Sequence, residues 1–181
     1  MKKTFLVIFL FFALYSLSFA DNWEPILKIG PILDKDLDLL SKRSSELSNQ
    51  ININLTKQKE NTKLLFFSIS DLERKKLELE WENLSREWEI LNAEDTVLTN
   101  FQSMLMTARE AVFVIESLLS YNKDLKGSKI IKDNIKSIIK STLTLIEKSL
   151  EKGERLKFSY ETIEVLNNVK SDLEKMLEIL K

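Results

Sequence analysis

The sequence predicts an all-α fold, an elongated antiparallel helical bundle with a coiled-coil arm and a three-helix C-terminal bundle. No Gly or Pro occurs between Pro31 and Gly127, and tight turns usually need these residues. Apolar residues recur at helical spacing, whereas the alternation typical of strands is scarce. The expected organisation is a signal peptide at 1–20, an extended lead at 21–33, the coiled-coil arm at 34–92 and the bundle at 93–181.

The N-terminal segment has the pattern of an export signal. Lys2 and Lys3 precede an apolar run at residues 5–17, and Ser18-Phe19-Ala20 offers small residues for cleavage before Asp21. The run is shorter than the ~20 residues that span a bilayer. The chain has no Cys, and so no site for a lipid-modified Cys and no disulfide. We therefore expect an exported protein, periplasmic or associated with the outer membrane.

The composition removes most catalytic chemistry. The chain has no His and no Cys. His is the commonest general base, and Cys provides thiolate nucleophiles and most ligands of structural zinc sites. Lys2 and Lys3 are the only charged residues in 1–20. Residues 21–181 therefore carry 25 of the 27 basic residues and all 28 acidic ones, a net charge of about −3. This balance does not indicate nucleic-acid binding. We predict no enzyme and no catalytic, cofactor-binding or metal residue.

The first half of the chain begins with residues that disfavour a helix. Trp23, Pro25, Gly30 and Pro31 predict an extended lead, after which Asp34 caps a first helix that runs to about Phe67. Polar residues occupy core-type positions in its middle, at 50–63. We expect the helix to be partly exposed or frayed there.

The strongest pattern follows a capping box at Ser70-Asp71-Leu72-Glu73. Apolar residues repeat at intervals of seven, which predicts a coiled-coil seam. The second core position changes at residues 92–95, so that either one long helix changes its packing partner there or the helix breaks. The seam residues are Leu77, Leu84, Leu91, Leu98, Leu105, Val112 and Leu119, and the second positions are Trp81 and Trp88 before the change and Phe101, Ala108 and Ile115 after it.

Two further amphipathic helices follow Gly127. The third is predicted to end at Gly153 as its C′ residue, and the fourth runs from about Leu156 to the C-terminus. The segments that begin at Asp95, Ser128 and Glu154 are similar in length, as a three-helix bundle requires.

Six apolar residues are the candidate partner-binding residues. The four consecutive apolar residues at 64–67 cover most of a helix circumference. We therefore expect them to be buried at a corner between helices or, alternatively, to form a binding patch. Trp81 and Trp88 are expected to be core side chains or, alternatively, a stacking or membrane-interface pair. Most carboxylates between Glu73 and Glu94, including Glu78, Glu80, Glu82, Glu87 and Glu89, are predicted to form a solvated helix face. The candidates are Leu64, Leu65, Phe66, Phe67, Trp81 and Trp88.

The segment Ala108-Arg109-Glu110-Ala111-Val112-Phe113-Val114-Ile115-Glu116, followed by Leu119 and Asn122-Lys123, resembles a segment of the Borrelia outer-membrane-spanning porin family. The likeness covers residues 104–181. It implies a spirochaetal envelope protein and, by the family label, a channel. A channel is not expected, because the residues after Ala20 contain neither a long apolar segment nor strands of alternating polarity.

These features favour an exported, non-enzymatic protein of the cell envelope that binds a protein partner through its arm. Self-association through the coiled coil is a further option. The alternative is a holdase-like periplasmic chaperone or a surface adhesin that uses residues 64–67. A third class, an enzyme with two carboxylates, requires a concave pocket lined by perturbed acids.

Overall fold

The computed structural model describes residues 22–68, 70–121 and 127–181. The described residues form four helices and no strand: α1 at Glu24–Phe67, α2 at Asp71–Tyr121, α3 at Ser128–Leu156 and α4 at Tyr160–Ile179. The predicted all-α class is confirmed. The predicted signal peptide at 1–20 lies outside the described residues.

Helices α1 and α2 form a long antiparallel hairpin. They contain 44 and 51 residues, or about 66 and 76 Å at 1.5 Å per residue. Side-chain hydrogen bonds between them join Asn61 to Glu80 and Asn54 to Glu87. The residue number thus falls by seven on α1 as it rises by seven on α2, so the two helices run side by side in constant register.

The base of the molecule is a four-helix bundle, which corrects the predicted three-helix bundle. Each helix packs against two neighbours, in the ring order α1, α2, α3, α4 and back to α1. One contiguous apolar core includes Ile26, Leu33 and Leu47 of α1 and extends on α2 to Leu91. Sequence spacing assigned α1 to the arm because it shows which face of a helix is apolar but not which helices that face contacts.

The arm is therefore shorter than the predicted range of 34–92. We define the arm as residues 52–67 of α1 and 71–90 of α2, which lie beyond the contiguous core. Only α1 and α2 extend into it, because α3 and α4 contain 29 and 20 residues. Its coiled-coil character remains a prediction.

The predicted extended lead is wrong, because α1 begins at Glu24 and contains Pro31. Pro25 is compatible with the first turn, where its missing amide has no helical partner to lose. A Cβ on Gly30 would lie 3.1 Å from Oε1 of Glu116, so this glycine permits close approach of α1 and α2. Full burial of the neighbouring Ile26, Ile29 and Leu33 offsets the hydrogen bond that Pro31 removes from the helix.

The seven-residue ladder on α2 is confirmed as a buried seam. Its first six positions are buried and Leu119 is half-buried. The helix continues through residues 92–95, so the change of second core position marks a change of packing partner rather than a break. Phe101, Ala108 and Ile115 are buried, as predicted.

Helix ends follow the sequence only in part. The Glu73 amide donates to Oγ of Ser70 at 3.2 Å, which confirms the serine half of the capping box. Gly153 was predicted to end the third helix, but α3 continues to Leu156 and the left-handed residue is Lys157, at φ 60°. Gly153 instead makes room for Phe158, whose ring would lie 2.8 Å from an added Cβ.

We expect Leu105→Ala to destabilise the protein by about 2 to 5 kcal/mol, because it leaves a cavity at a fully buried position of the seam. Glu110→Ala, at an exposed position on the same helix, is the matched control and should change stability by about 0.5 kcal/mol or less. Urea denaturation followed by circular dichroism measures both. Equal midpoints would contradict the assigned register.

We expect a fragment of residues 95–181 not to fold cooperatively, because it lacks α1, which supplies fully buried core residues such as Ile29 and Leu40. Their removal exposes the apolar faces of the other helices to water. Urea denaturation of the fragment and of the chain from residue 21 tests this expectation. A sharp, monomeric transition of the fragment would show that α1 is dispensable.

Candidate functional site

A buried polar network lies where the arm meets the bundle. Arg43 of α1 donates from Nε to Oγ1 of Thr162 at 3.1 Å and from Nη2 to Oγ of Ser159 at 2.6 Å. Both hydroxyls in turn donate to Oε2 of Glu94, the Ser159 bond being 2.7 Å long. Each hydroxyl thus accepts from the guanidinium and donates to the carboxylate, so both bridge Arg43 to Glu94.

The same carboxylate caps α4. The Ser159 amide, at the N-cap position, donates to Oε1 of Glu94 at 2.6 Å, and an acidic group is stabilised at a helix N-terminus. Nη2 of Arg43 lies 3.6 Å from Oε2 of Glu94, and both side chains are buried. Because its members satisfy one another, this cluster ties three helices together and leaves no group free for chemistry.

A second buried acidic pair joins α1 to α4. Asp36 is fully buried, and neither of its oxygens has a hydrogen-bond partner among the described residues. Asp172 is also buried and accepts from Nζ of Lys35 at 2.5 Å and of Lys175 at 2.7 Å. Burial, and then the negative charge of Asp172, raise the pKa of Asp36 to about 7. Burial also acts to raise the pKa of Asp172, but the hydrogen bonds from Lys175 and Lys35 outweigh it and the net pKa is lowered.

Neither cluster has the composition of a metal centre. Within residues 22–68, 70–121 and 127–181, no group of three or more acidic side chains is placed to hold a metal ion. The carboxylates predicted to form a solvated face, such as Glu78, Glu82 and Glu89, are exposed.

The end of the arm carries the predicted partner-binding residues. Phe66 and Phe67 are 83% and 80% exposed, and Leu64 is also exposed. The favoured prediction of burial at a helix corner is therefore wrong for these three residues, and only Leu65 is half-buried. The physical reason is that α1 ends at Phe67 and α2 begins at Asp71, beyond the reach of α3 and α4.

The two tryptophans also depart from the favoured prediction of core side chains. Trp81 is 42% exposed, and Trp88 is half-buried with an indole N–H that has no partner among the described residues. The seam leucines Leu77 and Leu84 fill the contact between α1 and α2. The two tryptophans therefore lie at the edge of this contact. Trp81 is thus a surface residue, whereas Trp88 is only partly exposed.

Trp81 lies beside a groove at the end of the arm. The groove has a volume of about 440 Å³, and both helices contribute to it. Leu65, Phe66 and Trp81 provide its apolar walls, and Arg74 and Glu78, paired at 3.6 Å, lie at its polar side. A groove of this composition has room for an apolar side chain and places charged groups beside it.

Sequence reasoning missed two exposed apolar residues near the end of the arm. Leu72 and Leu79 are 81% and 60% exposed. Their exposure could have been predicted from their positions, because neither belongs to the buried seven-residue ladder that begins at Leu77. We use the name tip surface for the exposed apolar residues that this end of the arm presents, which are Leu64, Phe66, Phe67, Leu72, Leu79 and Trp81.

The interior of the arm is partly polar. Most of residues 50–63 are exposed, as predicted, but α1 is continuous there and not frayed. Asn54 and Asn61 are buried and donate to Glu87 and Glu80 at 2.9 and 3.2 Å. Gln58 donates to Oδ1 of Asn54 at 2.8 Å. Amide side chains at the interface thus find partners on α2. Polar contacts of this kind stabilise an interface less than apolar packing does.

None of the described helices is long and apolar enough to cross a membrane.

We expect Arg43→Leu to destabilise the protein by about 3 to 5 kcal/mol, because it leaves the buried carboxylate of Glu94 without its cation. Lys42→Leu, one residue away and exposed, is the control and should have little effect. Thermal and urea denaturation measure the difference. Similar stabilities would show that the network is not a structural tie.

Comparisons with protein-family models, curated proteins and solved structures find no match to this chain.

Proposed function

We propose that this chain is an exported, non-enzymatic protein of the bacterial cell envelope that binds another protein through the tip surface of its arm. The observation that carries the proposal is the exposure of Phe66 and Phe67 at more than three quarters of their surface. Soluble proteins rarely leave adjacent large apolar residues in water unless the site contacts a partner.

The location of this surface supports the same role. The four-helix bundle has a continuous apolar core, and the residues of the arm are not part of it. The arm carries the tip surface away from that base. Its helices are joined by polar contacts and by a single file of seam residues, Leu77 and Leu84. The bundle therefore positions the arm, and the arm presents the surface.

The groove gives the contact its specificity. An apolar side chain of the partner enters between Leu65, Phe66 and Trp81, and the rim charges Arg74 and Glu78 select the polar groups around it. Aromatic residues that close on an inserted side chain contribute most of the free energy at many protein interfaces. A folded partner would insert a side chain into the groove. Non-specific contact with exposed apolar residues would not need a groove.

The absence of His and Cys from the sequence supports a binding role rather than catalysis. The buried acidic groups that remain lie inside the helix contacts of the base, with Glu94 and Asp172 each occupied by a basic side chain. The export role rests on the signal pattern at residues 1–20.

A photo-crosslinking side chain in place of Phe67 tests the proposal in living cells. We expect one discrete adduct from position 67 and none from position 113, where Phe113 is 60% exposed on the base and is the matched control. Phe66→Ser added to the position-67 protein should abolish the adduct and change stability by about 0.5 kcal/mol or less, because the side chain is already in water.

Three results would contradict the proposal: no adduct, equal adducts at both positions, or an adduct that survives Phe66→Ser. A ladder of many adducts at position 67, together with protection of an unrelated unfolding protein from aggregation, would indicate the alternative, a holdase-like chaperone.

A further inference from the structure

The contact between α1 and α4 contains a carboxyl group with an unusual environment. Asp36 of α1 is fully buried, and both of its oxygens lack a hydrogen-bond donor among the described residues. Leaving a buried carboxylate without a donor costs several kcal/mol, by order of magnitude. A protonated carboxyl group avoids this cost, because it is uncharged and supplies its own donor.

The groups that act on Asp36 come from two helices. They are Lys35 of α1 and Asp172 and Lys175 of α4, and no charged group of α2 or α3 is among them. Both lysines bind Asp172 and not Asp36. Their side chains are about 60% exposed, so water screens their effect on the buried carboxyl.

The second carboxyl group of this contact is that of Asp172. It is held ionised by its two lysines, whereas Asp36 has neither a cation nor a donor of its own. Two neighbouring carboxyl groups in a dry contact cannot both ionise without mutual repulsion. The proton therefore belongs to Asp36, and Asp172 is the neighbouring carboxylate that acts on it.

We propose that Asp36 and Asp172 form a proton-dependent latch between α1 and α4, closed when Asp36 carries a proton and loosened when it loses it. The helix ring has α4 packed against α1 on one side and α3 on the other. The latch therefore lies on the contact that closes the ring. It lies in the base, so the latch and the binding role of the tip surface are independent.

The direction of the pH dependence follows from the same environment. Burial raises the pKa of Asp36 from its ordinary 3.8 to about 7. A pKa raised in the folded state means that the stabilisation is complete below about pH 4 and is lost as the pH rises through about 7. The lowered pKa of Asp172 acts in the opposite sense, but only below its ordinary value of 3.8.

Urea denaturation at pH 5 and pH 8 tests the latch with two matched variants. Asp36→Asn keeps the size and the donor but cannot ionise, and Asp38→Asn changes an exposed residue of the same helix. We expect the unfolding equilibrium constant of the wild type and of Asp38→Asn to rise between pH 5 and pH 8 at least about tenfold more than that of Asp36→Asn.

Amide hydrogen exchange locates the effect. We expect protection in α4, at residues such as Val169 and Leu173, to fall more between pH 5 and pH 8 than protection at Leu105 of α2, after correction for intrinsic exchange rates. This difference should vanish in Asp36→Asn. Equal changes at both sites would overturn the placement of the latch on the α1–α4 contact.

A carboxyl carbon titration of the wild-type protein by nuclear magnetic resonance tests the latch without any variant. An Asp36 signal that titrates between about pH 6 and pH 8 supports the latch, and titration near pH 4 overturns it. An equal pH dependence of Asp36→Asn and wild type would also overturn it.

Discussion

The contact between α1 and α2 is the constraint on which the other features depend. The seam of apolar residues spaced by seven holds the two helices side by side from the base to the end of the arm, in one register. In the base, α3 and α4 cover the remaining apolar faces of this pair. Beyond Leu91 they no longer do so, and the pair must be stable with its outer faces in water.

The change from base to arm is also a change in the chemistry of packing. In the base, fully buried Leu and Ile residues fill the core, such as Leu40, Leu98 and Ile135. In the arm, Asn54 and Asn61 take the corresponding place on α1 and donate to carboxylates of α2. Asn61 Oδ1 and the indole N–H of Trp88 still lack partners among the described residues. Regions with fewer apolar contacts open at lower free energy, so the arm is the part of the described structure that opens most readily.

Sequence reasoning predicted the elements better than their neighbours. Periodicity identified the buried seam at Leu98, Leu105 and Val112, because those positions are buried whichever helix covers them. It did not show that Ile26 and Ile29 belong to the base, since Pro25 and Pro31 beside them suggested an extended chain. Whether a proline breaks a helix depends on the burial available nearby, and this is a tertiary property.

The candidate site was predicted in part. Residues 64–67 were singled out because a four-residue apolar run cannot face one side of a helix, but whether helices or water lie on the other side depends on where α3 and α4 end. Asp36 gave no signal at all, because it follows Lys35 and precedes Leu37 in an ordinary polar stretch of sequence. Only the approach of α4 makes it buried, and that approach is not encoded locally.

The length of the arm turns it into a lever. Its two helices continue about 30 Å past Leu91, at 1.5 Å per residue over the 20 residues from 71 to 90. A tilt of about 10° where the arm leaves the base would displace its far end by about 5 Å, roughly the width of a side chain. Small repacking around Arg43 and Glu94, which lie near this pivot, would therefore move Phe66 and Phe67 by about the width of a side chain.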